Sequence, residues 1–225
     1  MSDLEIDIWS DVVCPWCAIG YTRLASAMEQ LRGDLDVDVR WMPFELNADM
    51  PLEGRDEAAY LGEVYGRSAD EVAAMRAHMQ GEAEAAGFPM DYTGEGDPPA
   101  PMMRNTLRAH KLLRWVLAND GAEAQTALKL ALFDAHFRQR RDIADPQVLL
   151  DIVETQGLDR DAAQAALEDE ALGMAIRMEE RRAVENNITS VPTFVVNGRY
   201  ILQGSQEPEK FRQTLLQIAS MEAAA

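Results

Sequence analysis

The stretch Cys14-Pro15-Trp16-Cys17 contains the only two cysteines of this 225-residue chain. It follows residues 4–9, Leu-Glu-Ile-Asp-Ile-Trp, whose alternation of apolar and polar side chains is typical of a β-strand. A helical pattern begins at the cysteines and continues to about residue 32. The two cysteines are therefore expected at a strand-to-helix turn, where a Cys-x-x-Cys motif predicts a thiol–disulfide redox site.

The spacing of the two cysteines suits that chemistry. Residues three apart share one face of a helix, so a disulfide can close between Cys14 and Cys17. Cys14 is expected in the first helical turn, where free backbone N–H groups and the helix dipole favour a thiolate and lower the thiol pKa. Pro15 fits the same turn because its missing N–H is not needed there. Cys17 should lie deeper, which predicts that Cys14 is the nucleophile and Cys17 the resolving thiol.

Three other interpretations of the cysteine pair compete with a redox site. A structural zinc site needs four ligands, but no other cysteine exists and His78, His110 and His136 do not form a ligand pair, so no metal site is expected. A structural disulfide across so short a loop would constrain the unfolded chain little. Two free cysteines that only fill the core remain a further alternative.

The net charge of the chain argues against two classes of binding partner, nucleic acids and membranes. The formal net charge is −18, which repels phosphate backbones and anionic lipid surfaces, so neither nucleic-acid nor membrane binding is expected. No window approaches the roughly 18 uninterrupted apolar residues of a membrane span. Residues 1–5 are acidic and show no targeting pattern, which predicts a cytoplasmic location. In a reducing compartment a cysteine pair is more often catalytic than structural.

The middle of the chain has a different pattern from its two ends. Residues 36–42 alternate again, which predicts a second strand parallel to the first across a helical crossover. Helical periodicity then dominates residues 45–186, and strand patterns are absent there. A proline-rich stretch, residues 88–101, is expected to be either a lid or a plain linker. The predicted helices are 56–65, 69–86, 103–118, 122–138, 146–156, 160–167 and 169–186.

The strand pattern returns after residue 187. Residues 193–196 and 199–202 are apolar runs joined by Asn197-Gly198, a strong hairpin signal, and a last helix is expected at 207–220. Neither end of the chain has enough strands for a stable sheet, so the two ends should share one. The sequence therefore predicts an α/β fold with one domain formed by 1–44 and 187–225, and a helical insertion domain formed by 45–186.

Several motifs resemble a known family. Residues 12–17, Val-Val-Cys-Pro-Trp-Cys, resemble the active-site turn of thioredoxin-like proteins, and Ser190-Val191-Pro192-Thr193 resembles their cis-proline loop. The helical insertion between the two halves is similar to that of the DsbA family of thiol–disulfide oxidoreductases. Trp16 stands where periplasmic members carry a histidine. Resemblance to the cytoplasmic FrnE-like branch rests on Trp41 to Met50, Arg104 to Leu107 with Ala109-His110, Asp142-Ile143 and Gly204-Ser205-Gln206.

The resemblance implies a thioredoxin-like fold and an enzyme that exchanges disulfides with protein or small-molecule thiols through Cys14 and Cys17. It implies a cis Val191–Pro192 bond and a substrate chain bound by the Val191 backbone, with Pro15 and Trp16 as further candidate substrate contacts. No resident cofactor is expected beyond the redox-active disulfide, although glutathione is a candidate co-substrate. We also expect the helical insertion to cover the sheet end near Cys14 and to shape the substrate groove.

Alternatives remain for the function and for two polar residues. Kappa-class glutathione transferases and hydroxychromene-carboxylate isomerases carry a serine where Cys14 stands, so a glutathione-dependent isomerase or transferase is the second hypothesis. A binding module with a sensor cysteine pair is the third. His110 is either a packed helix residue or an acid–base group. Asp11 is either a turn residue or a charge that raises the Cys14 pKa. The substrate, the direction of electron flow, and the choice between monomer and homodimer are left open.

Overall fold

The N-terminal part of the chain forms the predicted β-α-β unit. The computed structural model describes residues 3–224. It begins with strand β1 (Leu4–Ser10), helix α1 (Pro15–Gln30) and strand β2 (Val37–Pro43). The two strands are parallel, with Ile6 opposite Val39. Alternate residues of β1 are buried, which is the pattern expected for a strand with one face on the core.

Helices dominate the middle of the chain, as predicted. Several begin at side-chain caps, of which the clearest is the capping box of Ser68 and Glu71. Two of the helices end at glycines in the left-handed conformation, Gly66 and Gly87. The elements are β3 (Arg55–Asp56), α2 (Glu57–Tyr65), α3 (Ala69–Ala86), β4 (Met102–Met103), α4 (Leu107–Asn119), α5 (Gly121–Phe133), a π-helix (Asp134–Arg138), α6 (Pro146–Thr155), α7 (Arg160–Glu168) and α8 (Glu170–Glu185).

Two features of this region differ from the prediction. The expectation that residues 45–186 contain no strand is wrong, because β3 and β4 form a two-stranded antiparallel sheet. Strands of two residues are too short to show an alternating pattern. The helix expected at 122–138 changes after Phe133 into the π-helix, and the helix expected from residue 103 begins only at Leu107 because Met102–Met103 pair with β3.

The C-terminal part completes the sheet that the N-terminal strands begin. It consists of β5 (Thr193–Val196), β6 (Tyr200–Gln203) and α9 (Pro208–Ala223). Asn197 and Gly198 have φ angles of 50° and 64°, as a two-residue hairpin turn of type I′ requires. Strand β5 is antiparallel to β1 and β6, which gives the order β2-β1-β5-β6. The prediction that the two ends share one mixed sheet is confirmed.

The cysteine turn joins two hydrophobic clusters. One cluster lies around the four-stranded sheet with α1 and α9 and includes Cys14 and Cys17. The other lies mainly among α4 to α7 and includes Val12 and Val13. The exact division of the chain into a domain of 1–44 with 187–225 and a domain of 45–186 stays a prediction. Among residues 3–224, no helix combines the length and the apolar character needed to cross a lipid bilayer.

The side chain of Gln125 connects the helical region to the sheet through two hydrogen bonds. Gln125 of α5 accepts a hydrogen bond from the Trp41 backbone N–H at 2.8 Å and donates one to the Trp41 carbonyl at 2.8 Å. Trp41 lies on β2, the edge strand of the sheet, whose outer backbone groups would otherwise lack partners. The amide therefore extends the hydrogen bonding of the sheet into α5.

Candidate active site

Both cysteines lie at the start of α1. Cys14 is the N-cap residue of the helix, with an extended backbone at φ −90° and ψ 110°. The expectation that it lies inside the first turn is therefore wrong by one residue, because the helix begins at Pro15. Cys17 is more buried than Cys14, as expected, but the difference is small, since the exposed fractions are 0% and 4%. Both residues are free thiols in this structure.

The Val191–Pro192 turn faces the first cysteine. The Cys14 thiol donates a hydrogen bond to the Val191 carbonyl, with an Sγ–O distance of 3.9 Å. The Val191–Pro192 peptide bond is cis. The Pro192 carbonyl accepts a hydrogen bond from Gly204 at 2.9 Å, and the Thr193 hydroxyl donates one to the Ser190 carbonyl at 2.7 Å. The structure thus brings Cys14 together with the adjacent residues Val191 and Pro192, although 177 positions separate Cys14 from Val191 in the chain.

Pro15 and Trp16 complete the turn and are half-buried. The Trp16 ring lies 6.3 Å from the imidazole of His78, measured between ring centroids. His78 belongs to α3, so a helix of the middle region contributes a side chain beside the cysteine turn. The indole carries no charge, so Trp16 provides no cation for a Cys14 thiolate.

Gly20 of α1 lets the cysteine helix pack directly against the proline turn. A methyl group at Gly20 would lie 3.0 Å from Cγ of Pro192 and 3.2 Å from Cζ of Phe194. Both distances are shorter than an ordinary carbon–carbon contact. The absence of a side chain at Gly20 therefore sets how closely the two turns of the site approach each other.

Replacing Gly20 with alanine should disturb this packing. We expect Gly20→Ala to lower the free energy of unfolding by about 1–3 kcal/mol, because overpacking a close contact forces atoms apart. A displaced Pro192 turn should also slow disulfide exchange by about tenfold or more. Gly81→Ala is the matched control, because Gly81 lies in the exposed α3 with nothing within 4 Å of an added methyl. Equal stability and equal rates in the two variants would contradict the proposed packing role.

Two buried polar side chains, those of Asp11 and His110, lie against each other near the cysteine turn. Oδ1 of Asp11 lies 3.4 Å from Nε2 of His110, and both side chains are 1% exposed. Oδ2 of Asp11 accepts a hydrogen bond from the Leu46 backbone N–H at 2.7 Å. Although burial alone raises the pKa of Asp11, these two partners outweigh it and hold the pKa below its usual value. His110 therefore lies against the carboxylate of Asp11, which is three residues before Cys14 in the chain.

Lys129 of α5 places a buried ammonium group near the site. Its ammonium lies 5.1 Å from the ring of Trp41 and 4.9 Å from the ring of Phe133, and the residue is 0% exposed. It makes no hydrogen bond in the described part of the chain. Burial lowers the pKa of Lys129 to about 8, against an opposing attraction from the cysteines and Asp11, among which Cys17 is the largest. Lys129 therefore interacts electrostatically with Cys17 inside the site.

The expectation of a lowered Cys14 pKa is wrong for this reduced site. The neighbouring Cys17 sulfur, as hydrogen-bond partner, raises the pKa of Cys14, and burial and the negative charges of Cys17 and Asp11 raise it further. The Cys17 backbone N–H lowers the pKa but does not outweigh these effects. The helix N-terminus alone therefore does not decide how readily Cys14 ionises, because the thiol is desolvated and lies beside a second sulfur.

A titration of the thiols tests this electrostatic description. We expect Cys14 of the reduced protein to form its thiolate only above the free-thiol pKa of about 8.5. Cys17→Ser should lower the Cys14 pKa, because it removes the sulfur that raises the value most. Thiolate absorbance at 240 nm, followed against pH in both proteins, measures the two values. A wild-type value below that of a free thiol would show instead that the helix N-terminus dominates.

Three residues of this site were not identified from the sequence as members of it. The sequence pattern does not distinguish Lys129 or Gly20 from ordinary helix residues, and it permits two interpretations of His110. Gly20 lies three residues after Cys17 on the helix, but its pattern is that of any small helix residue. Within residues 3–224, no group of three or more histidine, cysteine or acidic side chains is arranged to hold a metal ion.

Comparison with known proteins identifies the family. The family model of the DSBA-like thioredoxin domain matches residues 5–216. The uncharacterised protein YwbO of Bacillus subtilis is 27% identical over 213 residues, which cover 94% of this chain and 96% of YwbO.

Solved structures show the same fold. The probable DsbA oxidoreductase of Streptomyces coelicolor superimposes with a TM-score of 0.83 and 28% identity, covering 97% of this chain and 91% of that one. The cytosolic disulfide reductase DsbM of Pseudomonas aeruginosa superimposes with a TM-score of 0.65 and 20% identity, covering 96% and 99%. With a family model that spans nearly its whole length, the chain belongs to the DsbA-like thioredoxin family.

Proposed function

We propose that this protein is a thiol–disulfide oxidoreductase that exchanges disulfides with protein or small-molecule thiols through Cys14 and Cys17. One observation carries the proposal. The Cys14 thiol, at the N-terminus of α1, lies 3.9 Å from the Val191 carbonyl of a turn that is remote in sequence. A nucleophilic sulfur beside a turn that begins a strand is suited to a substrate chain that binds through its backbone. Membership of the DsbA-like thioredoxin family supports the same chemistry.

The reaction proceeds through a mixed disulfide. In the reducing direction, the Cys14 thiolate attacks one sulfur of a substrate disulfide, and the other sulfur leaves as a thiolate. The Cys17 thiolate then attacks the Cys14 sulfur and releases the second substrate thiolate. Two electrons pass to the substrate, the Cys14–Cys17 disulfide remains, and the two thiol protons end on the substrate thiols. The oxidising direction is the reverse of these steps.

Buried charged groups affect the second step of the exchange, in which Cys17 attacks the mixed disulfide. Cys17 must lose its proton in a site from which water is excluded, and a desolvated thiolate is unfavourable there. The Lys129 ammonium attracts the charge that forms on Cys17. The Asp11 carboxylate, which lies 3.4 Å from Nε2 of His110, attracts the same ammonium. Lys129 is therefore proposed as a positioning residue that stabilises the resolving thiolate.

A single-turnover reaction tests the proposed function. Reduced protein is mixed with a peptide disulfide in the absence of glutathione and of any other reductant. We expect one peptide disulfide to be reduced for each Cys14–Cys17 disulfide formed, as measured by alkylation and mass spectrometry. If the protein acts on the peptide only after glutathione is added, the glutathione-dependent isomerase or transferase becomes the better hypothesis. The reducing cytoplasm is the proposed location, since a free dithiol persists there.

A further inference from the structure

A small cavity that opens to solvent includes none of the residues of the cysteine turn. It lies between α3, the 88–101 loop, strand β4 and the π-helix. The disulfide-exchange proposal gives this cavity no role. We call it the cationic cavity, after the arginines that line it: Arg76, Arg104, Arg140 and Arg141.

The charge of the cationic cavity is opposite to that of the chain. The chain contains 39 acidic and 21 basic residues, yet four arginines and one glutamate, Glu57, line this cavity. Like charges at such short range repel each other unless anions offset them. Three of these arginines lie within 4.0 Å of a carboxylate, so the positive charge that is left to attract an anion lies mainly on Arg140.

The arginines differ in how far carboxylates neutralise them. Arg140 has no carboxylate within 4.0 Å among residues 3–224 and donates one hydrogen bond, of 2.9 Å, to the Pro99 carbonyl. A guanidinium carries five N–H donors, so Arg140 keeps donors that can reach a ligand. The other three are paired: Arg76 with Glu57 at 3.3 Å, Arg104 with Asp142 at 2.7 Å and Arg141 with Asp151 at 3.6 Å.

Two unusual backbone segments form one wall of the cationic cavity. The π-helix Asp134–Arg138 is a rare element that is often found at functional sites. Arg140 has a φ of 53°, a left-handed conformation that is uncommon for a residue other than glycine. A hydrogen bond of 2.9 Å from the Thr93 N–H to the Arg138 carbonyl joins the 88–101 loop to this wall. The loop, whose role the sequence left open, thus helps to build the cavity.

The remaining lining adds neutral polar and apolar surface. His136 lines the cavity, and its imidazole lies 4.6 Å from the ring of Phe137, measured between ring centroids. Burial lowers the pKa of His136 to about 4, so the ring is neutral near pH 7 and offers one donor and one acceptor. Met79, Met90 and Phe137 form an apolar wall. A ligand that matches this lining has acidic groups and an apolar part.

We propose that the cationic cavity binds a small organic anion with two acidic groups, carboxylate or phosphate, joined by an apolar segment. Arg140 and Arg76 hold the acidic groups through charge-assisted hydrogen bonds, His136 contributes a neutral hydrogen bond, and the methionines and Phe137 contact the apolar segment. This binding is independent of disulfide exchange at Cys14, so either proposal can fail without the other.

Calorimetric titration of the intact protein tests the proposal with three probes. Adipate is a dicarboxylate with an aliphatic centre, butane-1,4-diyl bisphosphate carries two phosphate groups on an aliphatic centre of the same length, and adipamide is the uncharged equivalent of adipate. We expect at least one of the anions to bind with a dissociation constant below about 1 mM, and adipamide not to bind. Tighter binding of adipate would identify a carboxylate ligand, and tighter binding of the bisphosphate would identify a phosphate ligand.

Substitutions of the cavity arginines test whether the anion binds in the cationic cavity. Arg140→Gln and Arg76→Gln should each weaken anion binding by about tenfold or more, because each removes a charge-assisted contact. Arg199→Gln is the control, since Arg199 lies far along the chain in the β-hairpin and pairs with Glu222. In the unaltered protein, the bound anion should slow hydrogen exchange in 88–101 and 134–141. The proposal is overturned if the anions bind no better than adipamide, if both cavity variants bind like the Arg199 control, or if exchange protection lies elsewhere.

Discussion

Cys14→Ser is expected to lower kcat/KM for disulfide exchange by at least about a thousandfold, because a hydroxyl cannot form the mixed disulfide. Cys17→Ser should lose turnover as well, but by a different route. In that variant Cys14 can still attack a substrate, while no second sulfur is present to release it. We therefore expect covalent complexes with substrate proteins to accumulate in cells that express Cys17→Ser and to be absent from cells that express Cys14→Ser.

Non-reducing gels and mass spectra of the purified variants measure this difference. The chain has no other cysteine, so every trapped partner must be attached at the one that remains. Because Cys14 is only 4% exposed, the trapped complexes also report whether a substrate can reach the buried sulfur. If both variants trap partners equally, or if Cys17 alone does so, the division of roles between nucleophile and resolving thiol is wrong.

Lys129→Met is expected to stabilise the folded protein and to slow the second step of exchange. Burial lowers the pKa of Lys129 to about 8 from a usual 10.5, so keeping the ammonium charged at pH 7 costs about 3 kcal/mol of folding free energy. A methionine has similar length and no charge, and such replacements of buried charges often stabilise by about 1–4 kcal/mol. Loss of the cation beside Cys17 should slow resolution of the mixed disulfide by roughly tenfold.

The stabilisation should depend on pH in a defined direction. The unfolded chain holds the Lys129 proton up to pH 10.5 and the folded chain only up to about 8, so between these values the unfolded state binds more protons. Wild-type stability therefore rises with pH across this window. The advantage of Lys129→Met is complete below pH 8 and disappears as the pH approaches 10.5.

Denaturant unfolding of the oxidised proteins measures this effect without interference from thiol titration. Lys210→Met, on the exposed face of α9, is the control and should change stability by less than about 0.5 kcal/mol. A destabilised Lys129→Met protein, or one whose stability difference does not change between pH 8 and 10, would contradict the assigned environment of Lys129. An unchanged rate of mixed-disulfide resolution would contradict its role beside Cys17.

Local patterns in the sequence were sufficient to predict much of the fold. Strand β1 and helix α1 each carry a clear periodicity, and the polar break between them placed the cysteines correctly to within one residue. The Asn197-Gly198 turn predicted the hairpin because few residue pairs adopt two successive positive φ angles. The expectation of a shared sheet followed from a general requirement, since two isolated strands are not stable alone.

Features that depend on contacts between distant residues were not predictable in this way. Lys129 lies on a helix whose pattern would equally suit an exposed lysine, and only its packing under Trp41 and Phe133 makes it unusual. His110 lies 99 residues from Asp11, and no local pattern links them. The sequence predicts a lowered Cys14 pKa because it shows the helix N-terminus. It does not show the neighbouring Cys17 sulfur in contact with Cys14 or the burial of the thiol, which raise the pKa.

The redox equilibrium of the cysteine pair tests the central claim most directly. The protein is equilibrated with glutathione at a series of ratios of oxidised to reduced form, the thiols are alkylated under acid quench, and the products are weighed. We predict a single two-electron transition in which Cys14 and Cys17 become protected together, with the loss of two hydrogens and no added glutathione at the end point. Cysteines that stay reduced at every ratio, or that become glutathionylated independently of each other, would contradict a redox-active pair.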